Sequence, residues 1–135
     1  VATTRVLTPD GWLVTDDIGR LDERGNLMLL GRTSDMYIRG GYNVHPLEVE
    51  RALEEHPDIA CAAVVGKVAP VIGEIGVAFI VTRNPDVQLA EPELRRWCRE
   101  RLADYKSPDE FRFVPRLPLT PMLKVDRRTL RTWLE

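Results

Sequence analysis

The side chains that most often do chemistry are thinly spread through this 135-residue sequence. Its two thiols, Cys61 and Cys98, stand 37 positions apart with no metal-ligand spacing, and each lies in an apolar pattern. That pattern reads as two buried thiols in a reducing compartment, the cytoplasm. The two imidazoles adjoin a helix start (His45) and a helix stop (His56). Neither has a carboxylate or thiol at ligand spacing, so no metal site is expected. The sequence has no phosphate-cradling Gly-Lys-Ser/Thr, no His-Glu-x-x-His and no nucleophile elbow. Charge is the remaining signal. Residues 1–90 carry 8 basic and 13 acidic side chains, and residues 91–135 carry 11 and 8. A mildly basic final third suits a local phosphate site, whereas a net charge of −2 argues against a nucleic-acid track.

Such residues need elements to hold them. With 44% hydrophobic and 30% charged residues the composition is that of a soluble globular chain with one ordinary core. It has no run of about 18 apolar residues that would span a membrane. It opens on Val1 rather than Met, and is expected to be a piece of a longer protein. The first thirty residues read as β-structure with turns, around Trp12-Leu13-Val14, Ile18 to Leu21 and Leu27 to Leu30, with too few apolar residues to bury a face of their own. Met36 to Ile38 and Tyr42 to Val44 flank Arg39-Gly40-Gly41, a tight hairpin whose glycines supply the positive φ of the turn. A helix follows from Pro46, burying Val49, Ala52 and Leu53, and stops at His56-Pro57. The continuous apolar runs Ile59 to Val65 and Gly76 to Val81 read as interior strands. A second helix from Pro92 places Leu94, Trp97, Cys98 and Leu102 inward, with Arg95, Arg96 and Arg99 turned away. A short strand from Phe111 to Val114 and a last helix capped by Asp126, burying Leu130, Trp133 and Leu134, complete the chain. The sum is α+β: a small mixed sheet with a β-hairpin and about three helices, preceded by a β-strand tail.

Three segments, taken in order, point further. They are Thr15-Asp16-Asp17-Ile18-Gly19, then Gly31-Arg32-Thr33-Ser34-Asp35 on through Arg39-Gly40-Gly41-Tyr42-Asn43-Val44 to Glu50, then Leu117-Pro118-Leu119-Thr120-Pro121-Met122-Leu123-Lys124-Val125-Asp126-Arg127. Together they resemble the C-terminal end of the acyl-adenylate-forming enzymes, which include acyl-CoA synthetases, peptide-synthetase adenylation domains and luciferases. The resemblance implies two steps: a carboxylate attacks the α-phosphate of ATP to give an acyl-adenylate, and the thiol of CoA then displaces AMP. It also implies that residues 1–33 end a large N-terminal adenylation domain and that 34–135 form a small mobile domain. That domain rotates between steps and presents a different face to each. The upstream part of the same polypeptide would be its partner, and would hold the Mg²⁺.

The resemblance further implies roles for single residues. Asp17 would accept hydrogen bonds from the ribose hydroxyls, with Arg32 approaching the same sugar. Lys124 would bridge the substrate carboxylate and the α-phosphate, where negative charge gathers as pyrophosphate leaves. Ser34 stands at the hinge. Arg39, Gly40, Gly41 and Tyr42 would line the pantetheine tunnel, and Tyr105 and Lys106 would contact the CoA nucleotide. Several positions depart from the family pattern: Asp16 and Leu123 replace glycines, Ser34 an Asp or Lys, Ile72 an aromatic residue, and Ser107 and Asp109 basic residues of some relatives. The expected whole is an acyl-CoA ligase acting on a carboxylic acid of fatty or aromatic type, inactive as this fragment alone. The alternatives are an adenylation domain that loads a carrier protein, and an interaction module that keeps the motifs as scaffold.

Overall fold

The structure is a computed structural model that describes residues 6–135; the first five residues of the expected β-rich opening lie outside them. Two sheets order the chain. Strands β1 (Asp17–Leu21) and β2 (Leu27–Arg32) form an antiparallel pair with a bulge between Ile18 and Gly19. Trp12-Leu13-Val14 forms no strand; an isolated bridge between Leu7 and Leu13 and bonds from Thr8 N to Trp12 O and Val14 N to Val6 O hold it. Trp12, Leu13, Leu21, Leu27 and Leu29 are all exposed.

The larger sheet is built from the β3–β4 hairpin (Tyr37–Arg39, Tyr42–Val44), β5 (Ile59–Ala69), β6 (Gly73–Thr82) and β7 (Glu110–Phe113). Its order is β4-β3-β6-β5, and β7 adds parallel to β6 through Val77–Glu110 to Ile80–Phe113, so the sheet is mixed as expected. Three helices pack on it: α1 (Pro46–Glu54), α2 (Glu91–Arg101) and α3 (Arg127–Thr132).

The unbroken apolar runs have a direct cause. Along β5, Ala62 and Val64 join one core with Val49, Leu53, Leu94 and Cys98, while Ala63 and Val65 join another with Leu117 and Leu130. On β6, Ala78 and Ile80 face the first core and Val77 and Phe79 the second. A strand covered on both faces has no use for the polar half of the alternation. Of these two strands β6 is paired on both sides while β5 is an edge strand, and Cys61, near its start, is half-exposed. No helix among the described residues is long and apolar enough to cross a membrane.

Three side chains depart from the helical expectation. Helix α3 has six residues, so Trp133 falls just beyond it at the rim, 40% exposed, with its ring edge-on to Phe79 at 5.9 Å. Trp97 is half-buried: its indole N–H donates to Ala52 O at 2.8 Å, and Arg101 covers its outer face at 3.2 Å. Arg95 does not turn away. It folds back to donate to the carbonyls of Pro108 and Asp109, because the turn before β7 leaves those acceptors free beside it. Asp126 caps α3 as the sequence indicates, accepting from Thr129 N at 3.1 Å.

Candidate functional site

Two grooves flank α1, and Arg32, Lys124, Tyr105 and Lys106 line one or the other, whereas Asp17, Ser34, Arg39, Gly40, Gly41 and Tyr42 line neither. One is a groove of about 1070 Å³ lined by Arg32, Asp35, Glu50, Thr120, Lys124 and Arg127, among others. The second, of about 570 Å³, is lined by Asn43, His45, Glu48, Tyr105 and Lys106 together with residues of β1 and β2. Lys124 and Arg32, 92 positions apart in sequence, therefore meet at one opening.

Arg32 and Asp17 are cross-strand partners in the β1–β2 ladder. The Arg32 guanidinium lies 3.6 Å from Asp16 and 3.8 Å from Asp17, with Arg32 and Asp17 exposed and Asp16 half-buried. Asp16 and Ser34, two departures from the family pattern, are in contact with each other. The Ser34 hydroxyl donates to Asp16 Oδ2 at 2.5 Å, and Ser34 N approaches the same oxygen at 3.4 Å. These bonds, the hydroxyl's first, hold the Asp16 carboxyl below its usual range. The extra negative charge beside Asp17 is thus solvated by Ser34, which sits in the 3-10 turn Thr33–Asp35, and faces the Arg32 guanidinium.

Lys124 is exposed at the end of a tight loop. Thr120 N donates to Lys124 O at 2.7 Å, Lys124 N donates to the Thr120 hydroxyl, and Leu119 bridges Val125 to close the base. Leu123 has φ 62°, the left-handed region in which glycine carries no penalty and other residues carry about 1–2 kcal/mol. Its side chain is 78% exposed and contributes little packing. Leu123→Gly is expected to stabilise the domain by up to about 1 kcal/mol, seen as a higher denaturant midpoint. A lower midpoint would show that the leucine packs after all.

By the second groove, Tyr42 and Tyr105 stack at 4.6 Å, and Lys106 pairs with Glu48 of α1 at 2.9 Å. Gly40 and Gly41 have φ of 56° and 84°. A Cβ on Gly41 would meet nothing within 4 Å, so the turn's dihedral angle, not crowding within the chain, demands glycine there. Arg39 is held by a fork of bonds to Asp109 at 2.8–3.2 Å, and the same carboxylate accepts from Gly76 N. Asp109 therefore does a structural job where basic residues were noted in some relatives.

Sequence reading missed a third set. Glu50 is 4% exposed and receives two bonds from Arg127, at 2.5 and 2.9 Å. Arg127 also donates to Val64 O at 2.8 Å and lies 3.3 Å from Asp35. The available signal was a glutamate three residues before the core residue Leu53, on the helix's buried side. Burial pushes the Glu50 carboxyl up to about 7 against the pull of Arg127. A folded-state value above the unfolded one means that the native state binds the extra proton. That contribution is complete below about pH 4.5 and is lost as pH rises to about 7. Between pH 5 and 8 the melting temperature should therefore fall more steeply in the native chain than in Glu50→Gln. Parallel curves would show that Glu50 is ionised throughout.

Comparison with known proteins decides what carries these grooves. The family of AMP-binding enzyme C-terminal domains matches residues 48–124, more than half of the chain. The chain belongs to that family. The domain is 45% identical over 130 residues to a 3-[(3aS,4S,7aS)-7a-methyl-1,5-dioxo-octahydro-1H-inden-4-yl]propanoyl:CoA ligase of Rhodococcus jostii, covering 96% of this chain and 25% of that protein. It is 42% identical to the 2-succinylbenzoate–CoA ligase of Bacillus cytotoxicus, covering 98% and 27%. Among solved structures it superposes on an amide bond synthetase from Marinactinospora thermotolerans with a TM-score of 0.92 at 40% identity, covering 99% of the domain and 27% of that chain. On the o-succinylbenzoate CoA synthetase of Bacillus subtilis, in complex with its acyl-adenylate intermediate, the TM-score is 0.85 at 39% identity over 94% and 26%. The chain thus spans about a quarter of the length of these relatives.

Proposed function

We propose that this is the mobile C-terminal domain of an AMP-forming acid–thiol ligase, which activates a carboxylic acid with ATP and passes the acyl group to CoA. The observation that carries the proposal is the meeting of Arg32 and Lys124 at one groove inside a domain of this family. Lys124 supplies an ammonium at the α-phosphate in the first step, a strong contribution where water is excluded. Asp17 accepts from the ribose hydroxyls, and Arg32 lies beside the same sugar. Ser34 is the pivot, with residues 1–33 belonging to the upstream body and 34–135 moving. The opposite groove and the hairpin serve the second step, with Arg39, Gly40, Gly41 and Tyr42 along the pantetheine and Tyr105 and Lys106 toward the CoA nucleotide. Mg²⁺ arrives with ATP and takes its protein ligands from the upstream part of the polypeptide. Cytoplasmic placement fits the two free thiols and a soluble pool of ATP and CoA.

The acyl group is chosen outside this domain. The names of the relatives favour ring-bearing acids, and give the expected fatty acid no support. A second reading, transfer to an amine, is favoured by the 0.92 match to an amide bond synthetase. Carboxylate-dependent ATP–pyrophosphate exchange by the full-length protein tests the first half-reaction. Free CoA, a phosphopantetheinyl carrier and amines, offered in parallel to the adenylate, then identify the acceptor. CoA thioester as the main product supports the ligase, and amide or carrier thioester replaces it. No exchange with any carboxylate returns the domain to an interaction module. This fragment alone should show no exchange, since it holds one lysine and one ribose contact of the site.

A further inference from the structure

The groove holds an element for which the two-step scheme above has no use. Arg127 follows Lys124 by three residues, and its guanidinium is largely enclosed. The fork reaches three separate parts of the domain: the Glu50 carboxylate on α1, the Val64 carbonyl on β5 at 2.8 Å, and Asp35 in the 3-10 turn at 3.3 Å. Arg131, one helical turn on, lies 3.8 Å from Asp35 as well. Asp35 is next in sequence to Ser34, whose hydroxyl is bonded to Asp16 on the other side of the turn. On the other flank, only Val125 and Asp126 separate Arg127 from Lys124, and both are fixed. Val125 is bridged to Leu119, and Asp126 N donates to Pro118 O while its side chain caps α3.

We propose that Arg127 is a positioning residue, which clamps Asp35 to the moving body and thereby sets the Lys124 loop and the hinge in one fixed relation. Three separate nitrogens in one plane are the reason for arginine: Nη2 serves both Glu50 oxygens, Nη1 the Val64 carbonyl, and Nε faces Asp35. A lysine's single ammonium cannot reach three such directions at once. The clamp also bounds the pivot. Asp35 travels with the body, so the backbone rotation falls between Arg32 and Asp35. A hinge that slipped past Asp35 would carry Lys124 away from its station, and misplacement of a catalytic group by about 1 Å costs on the order of 10²-fold.

This inference rests on the ligase reading, and the test separates the two. Asp35→Asn in the full-length enzyme leaves the buried Arg127–Glu50 pair in place and loosens only the clamp. It should slow acyl-adenylate formation by about 10-fold, a fraction of the loss from full misplacement, with thioester formation from supplied adenylate and the melting temperature nearly unchanged. Arg127→Lys, which keeps a cation against Glu50, should act in the same direction. The decisive readout is the combination with Lys124→Ala: Asp35→Asn should slow the native enzyme yet leave the Lys124→Ala enzyme unaffected, because the clamp works only through that lysine. An equal slowing in both backgrounds, a parallel loss in both half-reactions, or no loss in either overturns the clamp. Absence of pyrophosphate exchange in the native full-length enzyme instead overturns the ligase reading, and the clamp with it.

Discussion

Lys124→Ala in the full-length enzyme is expected to slow acyl-adenylate formation on the order of 10²-fold or more, and to leave thioester formation from supplied acyl-adenylate nearly untouched. The size follows from removing one preplaced charge from a site closed to water, where such a group needs no reorganisation at the moment of reaction. The asymmetry follows from the layout. Lys124 lines the groove on one side of α1, while Tyr105 and Lys106 line the groove on the other, so a single orientation of the domain presents only one of them to the acyl-adenylate. Stability should not change, since the Lys124 side chain is exposed and its loop is held by main-chain bonds to Thr120. Single-turnover rates of both half-reactions and a melting curve on the same sample make the check. Equal losses in both steps at unchanged stability would defeat the alternation of faces, and losses that track a lower melting temperature would reduce Lys124 to a folding role.

Ser34→Pro should have the second-largest effect, with one half-reaction surviving and the other collapsing. Proline fixes φ near −65°, removes the N–H that approaches Asp16, and pushes the preceding Thr33 toward extended backbone. Thr33 opens the 3-10 turn of the present structure, so the substitution disfavours this arrangement and resists the backbone change by which the domain would reach another. Ser34→Ala is the control. It removes the hydroxyl bond to Asp16 but leaves the backbone free, and should affect both half-reactions only slightly, as expected for an exposed hydrogen bond. If Ser34→Pro spares both steps, the pivot lies elsewhere.

Much of this domain was legible in its sequence. At several positions a local rule was enough: Gly40-Gly41 turns the hairpin, Pro46 opens α1, Asp126 caps α3, and Val49, Ala52 and Leu53 are buried. The doubly covered strands were legible too, because unbroken apolar runs leave no face for water. The resemblance implied a ribose contact for Arg32 and a phosphate contact for Lys124, and the fold has both lining one groove.

Tertiary structure alone decided the rest, in each case through a partner distant in the chain. Arg95 reads as a solvated helix residue until the turn before β7 brings two carbonyls within its reach. Asp109 reads as a lost basic contact until it is found forked to Arg39, 70 positions away. Asp16 and Ser34 look like two independent departures, and prove to be bonded to each other. Glu50 and Arg127 are separated by 77 positions, and their side chains carry no periodic signature that would pair them. The physical reason is the same throughout. Backbone dihedral preference and apolar periodicity are local quantities written in neighbouring residues, whereas a charge or hydrogen-bonding group is satisfied by whatever the folded chain places within about 3 Å of it, and that is settled only when β5, α1, α3 and the Thr33–Asp35 turn have packed together.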